Sequence, residues 1–163
     1  MYLLDANAFI TAHRGRYPLD VVPGYWGWLA EALRDGTAGS IQRVRDELTS
    51  AEDELQRWVE DQPGLDLEPD TDVINALRVL SRWTMAEDRF RDAAKTQFLD
   101  EADYFLVGQA MAGSHVVVTF ETPQPEGKKR IKIPDACDAF DVEWIQPIEM
   151  LRREGARFVL DRP

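Results

Sequence analysis

Short apolar runs alternate along this chain with stretches in which apolar residues recur every three or four positions. The runs predict strands at Tyr2–Leu4 and at residues 115–120 and 142–145, with a final edge strand at 156–160. Strands that alternate with helices are typical of an α/β domain around a mostly parallel sheet. We expect that fold class here, as a single domain covering residues 1–163.

The helical stretches have recognisable starts and stops. Ser40 is the expected N-cap of a helix that carries Val44 and Leu48, and Asp100 is the expected N-cap of a helix that Gly113 closes. Residues 63–69 are rich in Pro, Gly and acidic side chains, which indicates a loop. For residues 84–97, helix and turn both stay open. Further helices are predicted at 25–33, 55–59, 71–80 and 147–153.

Composition narrows the class of protein. Of the 163 residues, 44% are hydrophobic and five are Trp, which is enough for one substantial core. No apolar stretch approaches the roughly 20 residues that a membrane span requires. The lone Cys137 has no partner for a disulfide or a zinc knuckle, which fits a reducing compartment. We therefore expect a cytoplasmic protein without a membrane segment.

The formal net charge of −11 argues against broad, charge-driven binding to nucleic acid. It does not exclude a nuclease, because a metal-dependent site concentrates carboxylates and leaves phosphate contact to a few local cations. An acidic surface also suits a basic partner protein. A solvated loop is the competing interpretation of the basic candidates for RNA contact, which are Arg14, Arg16, Lys128, Lys129, Arg130 and Lys132.

Four carboxylates stand at positions that favour chemistry. Asp5 and Glu121 each follow an apolar run, and the carboxyl ends of parallel strands line the ligand crevice of an open sheet. Asp103 lies near a predicted helix start, and Glu47 lies within a helix, where a solvated side chain is the ordinary interpretation. If the fold brings them together, they form an oxygen-lined pocket for Mg²⁺ or Mn²⁺. Such a pocket activates water for phosphodiester hydrolysis.

The order of these motifs resembles that of PIN-domain ribonucleases. The resemblance is carried by residues 3–10, 102–110 and 117–121 and by the helix with Glu47. Residues 128–137 and 150–155 look like a prokaryotic PIN-like subfamily long labelled a domain of unknown function, of the DUF4411 type. The resemblance implies a three-layer α/β/α sandwich with a central, mostly parallel sheet.

The resemblance also implies roles for particular residues. Asp5, Glu47 and Asp103 are metal ligands by this comparison, and Glu121 takes the fourth acidic place, where many PIN domains carry Asp. Whether Glu121 touches the metal directly or through water stays open. Three residues are expected to orient ligands or water: Asn7, Thr119 and Asp100. Asn7 is equally well interpreted as a turn amide, and Thr119 as a strand-end hydroxyl.

The implied activity is that of an Mg²⁺- or Mn²⁺-dependent endoribonuclease. In this family such an enzyme is often the toxin of a type II toxin–antitoxin pair, so a small antitoxin protein and a homodimer are the implied partners. Transfer, ribosomal and messenger RNA are not ranked by anything in the sequence.

Two other classes of protein compete with this hypothesis. Asp5 after an apolar run is also typical of haloacid dehalogenase-like phosphatases, but those enzymes place a second Asp two residues later, where this chain has Asn7. A PIN-like interaction module without catalysis is the other alternative, and the presence of all four acidic residues speaks against it.

Overall fold

Five parallel strands form the centre of the molecule. The structure is a computed structural model, and it describes residues 1–159. The strands follow the spatial order β3-β2-β1-β4-β5, with β1 in the middle. The expected α/β class with a mostly parallel sheet is confirmed. The strands are β1 (Tyr2–Leu4), β2 (Ala38–Ile41), β3 (Asp66–Leu67), β4 (Val116–Val118) and β5 (Trp144–Ile145).

Helices connect these strands and cover them. A short π-helical turn, Ala12–Arg16, extends α1. None of the helices in residues 1–159 is long and apolar enough to cross a membrane. The α-helices of this part of the chain are α1 (Ala6–Thr11), α2 (Pro23–Arg34), α3 (Gln42–Leu48), α4 (Glu54–Glu60), α5 (Thr71–Ala86), α6 (Asp92–Asp100), α7 (Ala102–Gly113), α8 (Ile133–Ala139) and α9 (Pro147–Arg153).

The core explains why these segments fold as they do. Leu3 and Leu4 of β1 and Val117 and Val118 of β4 have no exposed surface, so both faces of the central strands are covered. Cys137 is also fully buried, where it packs as a small apolar side chain. The buried apolar residues of the sheet and of the helices form one contiguous cluster.

Two sequence predictions near β2 are wrong. Ser40 is not a helix N-cap but a residue of β2, and its hydroxyl donates a hydrogen bond to the Leu4 carbonyl oxygen (2.7 Å). The helix begins at Gln42 instead. The predicted loop at 63–69 contains β3, which pairs with Ser40 and Ile41. Both errors come from short strands of small or polar residues that lack an apolar run.

The remaining differences lie in the second half of the chain. Asp100 ends α6 instead of capping the next helix, and Glu101 is the residue at the N-cap of α7. The region left open at 84–97 is the end of α5 and the start of α6. The segment after Glu121 contains the unpredicted helix α8. Residues 156–159 do not form the predicted edge strand, and Leu160 lies outside the described residues.

Gly64 marks the closest approach between a loop and α2, and it gives a test of the packing. A Cβ atom there would lie 2.4 Å from the carbonyl oxygen of Leu33, which is backbone and has nowhere to move. We expect Gly64→Ala to lower the free energy of unfolding by about 1–3 kcal/mol, as overpacking does.

The control is Gly27→Ala in the exposed middle of α2, where a Cβ atom meets nothing within 4 Å. This change is expected to stabilise the protein by about 0.5–1 kcal/mol, because Ala favours helix more than Gly does. Urea denaturation of both variants checks the pair. Equal effects of the same sign would contradict the packing described here.

Candidate functional site

An acidic cavity lies where the strand order reverses. The chain leaves β1 toward β2 on one side, whereas β4 pairs with the other side of β1. In open α/β sheets ligands bind at such a reversal, beyond the carboxyl ends of the strands. The cavity has a volume of about 350 Å³. We call this space the acidic cavity, and the charged and polar residues of its lining are Asn7, Arg43, Asp46, Glu47, Asp100, Glu101, Asp103 and Arg130.

Asp5 follows β1 and directly precedes Ala6 and Asn7, which line this cavity. It is fully buried and serves as the N-cap of α1, where its Oδ1 accepts a hydrogen bond from the Ala8 N–H (2.6 Å). Its Oδ2 accepts a hydrogen bond from the Thr119 hydroxyl (2.7 Å). Each of these oxygens keeps a second lone pair, on which Asp5 would bind a cation.

The protonation of Asp5 is strongly perturbed. Burial is the main cause and raises its pKa to about 8, and the negative charges of Asp103 and Glu121 add to that effect. The hydrogen bonds from Thr119 and Ala8 act in the opposite direction because they favour the ionised form. A cation that enters this group of acids would stabilise the ionised form of Asp5 and lower its pKa.

Asp103 and Glu121 come from different elements and face each other. Asp103 lies in the first turn of α7 and is nearly buried; burial and then the charge of Glu121 raise its pKa to about 7. Glu121 follows β4, and its Oε2 accepts a hydrogen bond from the Ile133 N–H at the start of α8 (2.8 Å). The Glu121 N–H in turn donates to the Thr119 hydroxyl (3.0 Å). Thr119 therefore connects Asp5 to Glu121.

Arg130 projects into this group of acids. Its Nη2 atom lies 3.4 Å from Asp103 Oδ2, 3.8 Å from Glu101 Oε2 and 3.6 Å from Glu121 Oε1. Burial alone would lower the pKa of Arg130, but Glu121, Asp103 and Glu101 outweigh it, so the pKa lies above its usual value. We call the three acids around Arg130, which are Glu101, Asp103 and Glu121, the carboxylate cluster.

The other predicted residues lie at the edge of the cavity. Glu47 is exposed at the rim, and partial shielding together with the charge of Glu101 raises its pKa. Asn7 and Asp100 line the cavity. Because Asp100 ends α6, it lies on a different helix from Asp103 and does not cap that helix as expected from the sequence. The Asp100 carbonyl oxygen accepts a hydrogen bond from the Arg43 guanidinium (3.4 Å).

The basic residues that were predicted to contact RNA are divided among several places. Arg14 and Arg16 are exposed in the π-helical turn. Lys128 and Lys129 line a second cavity of about 370 Å³, whose wall also includes Arg130. Lys132 instead donates a hydrogen bond from its Nζ to the Thr122 carbonyl oxygen (3.0 Å). In the described chain, Arg130 is the member of this basic run that forms ion pairs with the acidic cavity.

Two participants were missed from the sequence. Glu101 was given no role from the sequence, yet it contacts Arg130, and Arg130 was assigned to RNA instead of to the carboxylates. Ile131 and Ile133 are both fully buried in the core, and Arg130 and Lys132 alternate with them along the chain. That alternation directs Arg130 away from the core, and nothing in the sequence indicated that its guanidinium turns toward the carboxylates.

The donor set suits a hard divalent cation, although its present arrangement does not yet form a binding site. Carboxylate oxygens are the ligands that Mg²⁺ and Mn²⁺ prefer. Within residues 1–159, no three His, Cys, Asp or Glu side chains are already close enough to hold an ion. Mg²⁺ requires oxygens at roughly 2.0–2.1 Å, so the carboxylates must close in and Arg130 must withdraw.

The fold and the cavity define an α/β protein whose parallel sheet carries, at its carboxyl edge, a carboxylate cluster whose charge is partly balanced by an arginine. More narrowly, the chain belongs to the family described as a domain of unknown function, DUF4411, whose family model matches residues 2–158. This match confirms the DUF4411 type that was noted at residues 128–137 and 150–155. Comparisons with curated proteins and with solved structures gave no match.

Proposed function

We propose that this protein is a PIN-like, Mg²⁺- or Mn²⁺-dependent endoribonuclease. The observation that carries the proposal is the convergence of Asp5, Asp103 and Glu121 at the strand-order reversal, where burial and mutual repulsion raise the pKa of both aspartates. Strongly perturbed acids in a crevice are typical of functional sites. The three-layer PIN sandwich is compatible with the five-stranded parallel sheet and its surrounding helices.

Each residue has a distinct task in this proposal. Asp5, Asp103 and Glu121 would hold the cation, and Glu47 at the rim would complete the set directly or through water. When bound, such a cation acidifies a water molecule and stabilises the charge of the departing oxygen. Thr119 keeps Asp5 oriented through its 2.7 Å hydrogen bond. Lys128 and Lys129 lie beside the cavity, where they are able to bind the phosphates of an RNA strand.

The biological setting follows from the resemblance to PIN-domain ribonucleases. We propose the toxin role in a type II toxin–antitoxin pair, with a small antitoxin protein and a second copy of the chain as partners. The net charge of −11 supports an antitoxin that carries a basic segment. The observation that favours the alternative, an inactive PIN-like interaction module, is that Arg130 already balances part of the charge of the carboxylates.

Cleavage of a mixed cellular RNA pool tests the proposal. Wild-type protein and Asp103→Asn are incubated with Mg²⁺, with Mn²⁺ and with EDTA. We expect discrete products from the wild type with either cation, and a rate lower by at least about 100-fold in Asp103→Asn, because a loss of several kcal/mol of transition-state stabilisation has that effect.

The matched control is Asp61→Asn, the same chemical change at an exposed residue after α4. It is expected to cleave like the wild type. Equal cleavage by Asp103→Asn would contradict the proposed site, and a folded wild type that cleaves no RNA with either cation would favour the interaction module.

A further inference from the structure

Arg130 differs from an ordinary surface arginine in the number and origin of its acidic neighbours. A single guanidinium nitrogen lies within 3.8 Å of carboxylates from the N-cap of α7, the first turn of α7 and the segment after β4. Its side chain is nevertheless 45% exposed. Arg130 therefore occupies the centre of the carboxylate cluster without being locked into the core.

The backbone on both sides of Arg130 is fixed, whereas its side chain has room to move. The Lys128 carbonyl oxygen accepts a hydrogen bond from the Arg91 N–H (3.0 Å), and Ile131 is fully buried. Arg130 lines both the acidic cavity and the neighbouring cavity that contains Lys128 and Lys129. A rotation of the side chain alone therefore carries the guanidinium from one cavity toward the other.

Charge makes these two positions respond to ligands. In the acidic cavity, the guanidinium balances carboxylates that would otherwise repel one another. In the second cavity it approaches Lys128, Lys129 and Arg91, whose charges outnumber that of Glu126 in the same wall, so that position is unfavourable until an anion such as a phosphate group is present. A divalent cation in the acidic cavity balances the charge of the carboxylates in place of Arg130 and repels the guanidinium.

We propose that Arg130 is an internal counter-ion that occupies the carboxylate cluster and gives it up to a divalent cation, turning toward the basic cavity formed with Lys128 and Lys129. This inference rests on the proposed function, because it assigns the acidic cavity to a cation. It makes Arg130 a competitor of that cation. Metal-free protein is thereby held in a neutralised, inactive form, and the cation both completes the site and releases a phosphate-binding group.

The test is isothermal titration of Mn²⁺ into metal-free protein without RNA. We expect Arg130→Gln to bind Mn²⁺ roughly tenfold more tightly than the wild type, because three weak, partly exposed ion pairs no longer need to be broken. Arg82→Gln, which removes the same charge from the exposed face of α5, is the control for general electrostatics and is expected to change the affinity less than about twofold.

A second measurement follows Arg130 itself. The guanidinium Nε–Hε resonance of Arg130 in ¹⁵N-labelled wild type, assigned by its loss in Arg130→Lys, is expected to shift when Mg²⁺ is added. This readout uses the unaltered protein, so it decides the matter even if Arg130→Gln fails to fold. A purely structural arginine would keep its resonance in place.

The outcomes separate this inference from the nuclease proposal. Unchanged or weaker Mn²⁺ binding by folded Arg130→Gln, or no binding by either protein, would overturn the counter-ion role. Tighter binding by the variant supports it even if neither protein cleaves RNA, in which case the proposed function fails alone. Metal-dependent cleavage with identical affinities would leave the nuclease intact and refute the role of Arg130.

Discussion

Asp5→Asn is expected to be more stable than the wild type at pH 8 in EDTA and to have lost RNA cleavage. The two effects have one cause, which is the cost of an ionised carboxylate in a fully buried position beside Asp103 and Glu121. Asn keeps the shape of the side chain and still accepts the Ala8 hydrogen bond. The Thr119 hydroxyl is free to reverse its direction and accept from the new amide.

The raised pKa values determine how the free energy of unfolding changes with pH. The ordinary pKa of Asp is 3.8, whereas folding raises the pKa of Asp5 to about 8 and that of Asp103 to about 7. The folded state therefore binds protons more tightly than the unfolded state, and the free energy of unfolding falls as the pH rises between these values. The stability of the metal-free wild type is expected to decline from pH 6 to pH 8, and Asp5→Asn flattens that decline.

Urea denaturation at pH 6, 7 and 8 in EDTA checks the prediction. A difference of about 2 kcal/mol in the decline between the wild type and Asp5→Asn is the expected result, because one proton changes stability by at most about 1.4 kcal/mol per pH unit. Asp61→Asn, the exposed control, should follow the wild-type curve. If Asp5→Asn were less stable than the wild type at pH 8, the Asp5 carboxylate would be stabilised by folding, and the argument from burial would be wrong.

The same electrostatic cost connects stability to the proposed chemistry. Metal-free protein is expected to lose stability with rising pH, whereas bound cation favours ionised Asp5 and Asp103 and reverses that trend. The carboxylates of a tight cation site repel one another when the cation is absent, so they lower the stability of the metal-free protein. Arg130 reduces this cost in the metal-free protein, which explains why an exposed arginine faces inward.

Apolar patterning predicted the framework of this fold. Residues 2–4 form the expected strand, and residues 147–153 form the expected helix with Pro147 at its start. The failures share a cause: Ser40 and residues 66–67 belong to strands that are held by their neighbours and not by their own apolar content. Such strands are decided by the tertiary fold.

The candidate site was predictable in part for the same reason. Asp5 and Glu121 follow strands, so topology alone places them at one edge of the sheet. Three acids within residues 100–103 have no such constraint from sequence, and the boundary between α6 and α7 decides which of them faces the cavity. Arg130 was assigned to RNA because a run of basic residues does not reveal the direction of each side chain.

Thr119→Val is expected to lower the free energy of unfolding by about 2–4 kcal/mol, because it leaves two buried polar groups without partners. The hydroxyl of the fully buried Thr119 donates to Asp5 (2.7 Å) and accepts from the Glu121 N–H (3.0 Å). Val has nearly the same shape but replaces neither hydrogen bond. RNA cleavage is expected to fall as well, since Asp5 and the segment that carries Glu121 are no longer held together.

The control is Thr119→Ser, which keeps the hydroxyl and loses only a methyl group, at a cost of about 1 kcal/mol. The hydrogen bond from Thr119 favours ionised Asp5, so its removal raises the pKa of Asp5 further. The stability of Thr119→Val should therefore go on declining from pH 8 to pH 9, where the stability of the wild type and of Thr119→Ser levels off. Urea denaturation across this range distinguishes a hydrogen-bonding role of the Thr119 side chain from a space-filling role. If stability changed with pH in the same way in Thr119→Val and Thr119→Ser, Thr119 would only fill space.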